Sequence, residues 1–332
     1  MTANLEKTTT IGNRSVYHEL VRYATLAASS HNTQCWQFKL ADRQISILPD
    51  LTRRCPAVDP DNHHLYASLG CATENLLIAA KTHGLEGTVG LQTKGDAVTA
   101  IHVHLAECTL VHSLLFDAIA ERQSARSIYD GQPLKNEDLE LLKRAGTGDG
   151  VSLILLTEKQ ALEAVLGYIT KGNTTQVNDP AFVKELKSWI RFTLTEAVKK
   201  GDGLFSRSTG NPAVPHWLGS LLFDFAFSAK SENKKIAKQV HSSAGIAIFV
   251  SDKNDPAHWI ESGRCYQRFA LQAETLDIRT AFLNQPVEVA ALRPQLASYL
   301  GIGERRPDLV VRFGHGPKMP RSLRRPVEAV IA

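Results

Sequence analysis

The chain lacks the marks of several large protein classes. Neither G-x-G-x-x-G nor G-x-x-x-x-G-K-[ST] occurs in its 332 residues, so Rossmann-type dinucleotide binding and P-loop phosphate binding have no support. Cysteine is sparse. Cys35, Cys55, Cys71, Cys108 and Cys265 are odd in number and scattered, with no two spaced for a redox or zinc clip. That usage points to the cytoplasm and to thiols that serve as small buried hydrophobes. No Ser/His/Asp arrangement follows from spacing, and Gly219-Ser220 is not a nucleophile elbow. Charge of one sign is not in excess: 38 Lys+Arg against 34 Asp+Glu leave +4, too little to argue for nucleic acid or an acidic membrane surface. The longest strongly apolar run, Trp217 to Ala229, contains Asp224 and is too short to span a bilayer. Met1 to Arg14 is polar and gives no secretory signal. The pairs His63/His64 and His102/His104 come without the accompanying carboxylate or thiol ligands of a recognisable site, so no metal site is predicted.

What is present is ordinary globular material, 43% apolar and 22% charged, in a length that suits two domains or one large pseudo-symmetric unit. Helical spacing predicts helices at 14–28, 63–82, 110–121, 136–145, 159–170, 180–199, 256–276 and 286–300. Alternation or short apolar runs predict strands at 36–40, 44–48, 89–91, 100–105, 151–156, 244–250, 280–283 and 309–313. Long helices mixed with runs of strands indicate an α+β fold. A long helix, a short connection and a strand occur in each half, at 63–91 and 256–283, which reads as a faint structural duplication.

Three stretches carry chemistry. In Ser29-Ser30-His31-Asn32-Thr33-Gln34 six polar side chains separate an apolar helix from an apolar strand that opens at Trp36. A helix-ending turn accounts for one or two of them. Such a density of donors and acceptors suits a planar heterocycle with both, such as the pyrimidine edge of a flavin. In Arg122-Gln123-Ser124-Ala125-Arg126-Ser127 two guanidinium groups flank a hydroxyl, a pattern that matches phosphate oxygens, although two arginines taken alone read first as a solvated basic face. The basic tail Arg321-Ser322-Leu323-Arg324-Arg325 is the third, and the two basic stretches together suit one phosphomonoester.

Taken together these stretches resemble the FMN-dependent nitroreductase superfamily, and more closely its Acg-type branch of duplicated single-chain members. Ala28-Ser29-Ser30-His31-Asn32-Thr33-Gln34-Cys35-Trp36 follows the family's Pro-Ser-Ser-x-Asn-x-Gln-Pro-Trp motif except at its prolines, where Ala28 and Cys35 stand. Arg122, Ser124 and Arg126 match its phosphate motif, and Arg324 its C-terminal arginine. The segments 50–60, 263–285 and 307–330 also look like the Acg-type branch.

The resemblance implies a nitroreductase-like fold of two pseudo-symmetric halves, 1–109 and 110–332, forming a single-chain mimic of the nitroreductase dimer, with a lid insertion at about 201–231. The first half carries the polar motif and the second the arginine motif, so one FMN site is expected, shared between halves and complete in a monomer. Arg122, Ser124, Arg126 and Arg324 are expected to hold the phosphate, and Ser29, Ser30, Asn32 and Gln34 the isoalloxazine or ribityl groups. The implied activity is cytoplasmic electron transfer from NAD(P)H through one FMN to a small nitro or quinone acceptor, with no catalytic side chain. The alternative is a protein that binds or sequesters flavin under a closed lid, with little turnover.

Overall fold

The computed structural model describes residues 15–332. Arg14, expected to open the first helix, and the polar leader before it lie outside the described residues. Helix α1 covers 15–25 and ends at the polar stretch. Strands β1 (Trp36–Ala41) and β2 (Gln44–Pro49) form a tight hairpin, with Arg43 at φ 51° in its turn. Helix α2 (His63–Lys81) follows, then β3 (Leu85–Lys94) and β4 (Ala97–Glu107). The sheet runs β1-β2-β4-β3, antiparallel throughout. Trp36 and Phe38 are buried while Gln37 and Lys39 face out, the alternation of a sheet with one wet face.

Helices α3 (Leu114–Glu121) and α4 (Asn136–Ala145) lead to β5 (Val151–Leu156). A long excursion over 157–244 follows. It contains α5 (Lys159–Val177), α6 (Pro180–Trp189), a two-residue parallel pair β6 (Ile190–Arg191) with β7 (Leu204–Phe205), α7 (Leu194–Lys200), α8 (His216–Ala226) and α9 (Ala229–His241). The chain then forms β8 (Gly245–Ser251), α10 (Pro256–Thr275), β9 (Ile278–Phe282), α11 (Gln285–Glu288), α12 (Arg293–Leu300) and β10 (Arg306–His315). The second sheet runs β5-β8-β10-β9, again antiparallel. Matching β5, β8, β9 and β10 to β1, β2, β3 and β4 makes the two strand orders coincide, with α10 in the place of α2. The second sheet is covered on both faces. Phe249 and Phe313 join the main core, whereas Ile246, Ile248 and Val310 pack with α5 and α9, which is why β8 is apolar without alternation.

α2 and α10 cross at the centre with backbones in contact. A Cβ on Gly70 would lie 1.9 Å from Ile260 O, and one on Gly263 1.9 Å from Ala67 O. The tail returns to the first sheet: Phe38 N donates to Val330 O at 2.7 Å and Ala332 N to Phe38 O at 2.8 Å, pairing the edge of β1.

Four sequence expectations change. The helix expected over 180–199 is broken at Ile190–Thr193, where extended backbone pairs with β7 and Thr193 caps α7 by accepting from Glu196 N. The helix expected over 286–300 splits, because Pro294 sits in the first turn of α12 and Val289 is extended. The expected helix at 110 begins at Leu114, where Ser113 caps it. The insertion placed at 201–231 is the middle of the longer 157–244 excursion.

Candidate functional site

A cavity of about 590 Å³ opens beside the polar stretch. Its wall is assembled from distant parts of the chain: the end of α1 and the polar stretch, the first turns of α2, the Arg122–Arg126 segment, the excursion, the α11 region and the tail. Ser29, Ser30, Asn32, Arg122, Ser124, Arg126 and Arg324 all line it. Gln34, the remaining candidate, does not.

The polar stretch is held in an unusual backbone shape. His31, Asn32 and Gln34 have φ of 48°, 54° and 53°, left-handed values that non-glycine residues adopt at a cost of about 1–3 kcal/mol each. The surroundings compensate. Ser29 Oγ accepts from Gln34 N at 3.0 Å, and Ser30 N donates to Ser68 Oγ on α2 at 3.3 Å. Asn32 Nδ2 donates to Gly203 O and Leu323 O, each at 3.0 Å. Gln34 is fully buried. Its Nε2 donates to Gly201 O and its Oε1 accepts from Arg325 N, both at 2.8 Å. Gln34 thus ties the polar stretch to the excursion and the tail. Gly201 and Gly203 have φ of 63° and 73°, which lets their carbonyls turn towards these amides. Asp202 between them is paired with Arg53 and Arg191.

The arginines converge from two directions. Arg122 donates to Leu26 O at 3.2 Å, leaving its Nε buried without a partner. Arg324 donates to Thr25 O, Leu26 O and Ala27 O at 2.8–3.2 Å, on the carbonyl end of α1, whose dipole favours cations. Among the described residues Arg122, Arg126 and Arg324 make no ion pair. Burial, with Arg122 beside it, pushes Arg324 down to about 9, and burial also lowers Arg126. Arg321, by contrast, is paired with Glu121 outside the cluster. The Arg122–Ser127 segment is fixed from below by Arg312. Its guanidinium donates to Ala125 O and Ser127 O and stacks 3.8 Å over Tyr129. Ala125 N donates to Thr280 O on β9 at 2.8 Å. Burial and the Arg126 charge push His31 down to about 4, so it adds no positive charge at neutral pH. Glu232 on α9 lines the same cavity and acts on Arg126 without pairing with it; three guanidinium groups with no ion-pair partner form a site for an anion, and the orphaned Nε of Arg122 asks for an acceptor.

The remaining wall is mixed. Phe192, Leu222 and Phe223 give an apolar side, and Asn173, Gln176, Gln285, His64 and Glu288 a polar floor. Sequence reasoning missed these floor residues, which come from three helices and share no local motif. His64 was noticed only as half of a pair. Asp59, His63 and His64 bring ligand-type atoms within 4.8 Å of one another. Yet both Asp59 oxygens accept from the amides of His64 and Leu65 at 2.9 Å, capping α2. Arg306 and Arg293 act on both rings, which makes this a poor cage for a cation. Burial pushes the thiols up, Cys35 to about 11 and Cys71 to about 12, so neither is a thiolate at neutral pH. Among the described residues no helix is long and apolar enough to cross a membrane.

No family model matches the chain. Two Mycobacterium tuberculosis proteins provisionally named NAD(P)H nitroreductases are similar to it. Rv3131 is 23% identical over 319 residues, 93% of this chain and 88% of that protein. Acg is 22% identical over 330 residues, 97% of this chain and 96% of that protein. Solved structures match more loosely. A Bacteroides fragilis nitroreductase with bound FMN aligns at TM-score 0.40 and 13% identity, over 64% of this chain and 96% of its own. One from Desulfitobacterium hafniense with bound FMN aligns at TM-score 0.36 and 13% identity, over 64% and 94%. Along almost its whole length, then, the chain resembles the nitroreductases of the Acg type.

Proposed function

We propose that the chain binds one FMN in this cavity and passes electrons from NAD(P)H to a small nitro or quinone acceptor. The observation that carries the reading is the unpaired set Arg122, Arg126 and Arg324 at one end of a cavity whose next wall is the Ser29–Asn32 stretch. A phosphomonoester supplies the missing counter-charge, and Ser124 adds a hydroxyl to the same wall. A flavin supplies two-electron chemistry when bound, and the protein binds it, orients it and excludes water.

In that role the carbonyl end of α1 and Arg312 hold the phosphate donors in place before the ligand arrives, which lowers the ordering cost of binding. The polar stretch and the tail are tied through Asn32 and Gln34, so both must be folded for either to present its groups. α8 serves as the lid. Its Leu222 and Phe223 wall the cavity, while Trp217 and Phe225 on the same helix are 69% and 82% exposed. A helix this weakly buried opens at little cost. The matching strand orders support reading 1–109 and 110–332 as two nitroreductase-like halves. The two relatives named as nitroreductases over the full length support the same reaction class.

The test is extraction of flavin from native protein, followed by NAD(P)H oxidation with nitro and quinone acceptors. FMN in the extract and acceptor-dependent oxidation are expected. FAD or no flavin overturns the site reading. FMN without turnover reduces the function to flavin binding.

A further inference from the structure

We propose that the Glu288 carboxyl, with His64 beside it, is the proton donor to the electron acceptor bound in the cavity; the inference rests on the function proposed above. Glu288 and His64 stand on the cavity floor, on α11 and the first turn of α2, in the same wall system as the arginine cluster. Among the described residues Glu288 has no cationic partner within ion-pair distance other than the His64 ring, whose Nε2 lies 3.6 Å from Oε1. That gap is longer than a hydrogen bond, and the His64 Nε2 is buried without a hydrogen-bond partner. The other carboxyl oxygen accepts from Gln176 Nε2 at 2.6 Å.

The charged neighbours come from every side and do not neutralise the acid. Asp59, capping α2, opposes its ionisation. Arg293 on α12 favours ionisation, but its guanidinium is committed to Asp61 at 3.1 Å. β10 directs Arg306 and Asp308 to each other, with Asp308 3.1 Å from the buried His63. α5 contributes only the amides of Gln176 and Asn173 at this wall. Burial is the dominant effect and pushes Glu288 up to about 7, so a large share is protonated at neutral pH. Burial holds His64 well below its usual value, so it stands beside Glu288 as a neutral ring.

Reduction of a quinone or nitro oxygen ends with protons on oxygen. In the proposed step the Glu288 O–H bond breaks and an O–H bond forms on the acceptor. No electrons move in this step; they come from the nicotinamide donor. The carboxylate regains its proton from solvent between turnovers. Asp59 and Asp308 are pushed up to about 7 as well, but neither lines the cavity, so Glu288 is the acid of the cavity wall that is matched to neutral pH, as general acid catalysis requires.

The experiment compares full-length wild type with Glu288→Gln and Gln176→Leu. Infrared difference spectra across pH should show, beside the bands of the buried Asp59 and Asp308, a protonated-carboxyl band that titrates near neutrality and is missing from Glu288→Gln. Flavin content should be unchanged in that variant. Its acceptor reduction should fall roughly a hundredfold at pH 6 and lose the decline that wild type shows as pH rises through about 7. Gln176→Leu removes a donor that steadies the charged form, so the band and the decline should both move to higher pH. A Glu288→Gln protein that keeps flavin, rate and pH profile overturns the proposal, as does a wild type without the band or a Gln176→Leu profile that stays put. If wild type itself holds no flavin, the parent function fails and this inference with it, visibly for a different reason.

Discussion

At the scale of single residues, the three cavity arginines are not equivalent. Arg324 donates to several carbonyls, so its removal loosens the tail as well as the site. Arg126 makes no side-chain hydrogen bond among the described residues, and its charge faces the cavity wall. Arg126→Ala therefore reports on ligand binding with little effect on the fold. It should weaken FMN affinity about thirty- to a hundredfold, roughly 2–3 kcal/mol, as for other lost charged partners. Titration of apoprotein by flavin fluorescence checks this, and an unchanged dissociation constant removes Arg126 from the phosphate site. The eight residues singled out in the sequence show what local reading can reach. Seven line one cavity, since Arg-x-Ser-x-Arg and a dense polar run are local patterns. Gln34 looked the same in sequence, but its side chain turns towards Gly201 and Arg325, partners about 167 and 291 residues away. The floor residues His64, Gln176 and Glu288 could not be grouped from sequence at all. Only the packing of α2, α5 and α11 makes them neighbours.

At the scale of elements, the α2–α10 crossing bears on the cavity, because the first turns of α2 form part of its wall. The sequence placed both helices within a residue or two of their observed ends, because long amphipathic patterns with clear stops are strong signals. It could not show that Gly70 and Gly263 are contact points, since a helical glycine looks like a defect until its neighbour is known. Gly263→Ala puts a methyl where Ala67 O stands, at 1.9 Å. The helices must separate, and the expected loss is about 3 kcal/mol, the upper end for overpacked cores. Gly167 on α5 is the control. A Cβ there meets nothing within 4 Å, so Gly167→Ala should gain about 0.5–1 kcal/mol from helix propensity. Chemical denaturation of both variants tests the opposite signs. Equal and small effects would mean that the crossing relaxes freely.

At the scale of the whole molecule, the two sheets share one strand order, yet they do not offer two equal sites. In the first sheet's unit the link from α1 to β1 is the polar stretch that walls the cavity. Its counterpart, the link from α4 to β5, is the short glycine-rich run at 146–150. That run lies flat against α10. A Cβ on Gly148 would meet Glu261 Oε1 at 2.3 Å and Cys265 Sγ at 2.6 Å, so no ring system fits between them. The cation beside it, Arg268, is also unlike the cavity arginines, because Glu74 and Glu261 neutralise it at 3.0 and 3.2 Å. An anion would have to break those pairs, whereas Arg122, Arg126 and Arg324 have none to break. The asymmetry predicts one flavin per chain, not two. Acid-released flavin measured against protein concentration should give a ratio near one for the isolated holoprotein. A ratio near two would place a flavin where α10 now fills the space, and would mean that the second unit opens in a way its packed glycine run does not allow.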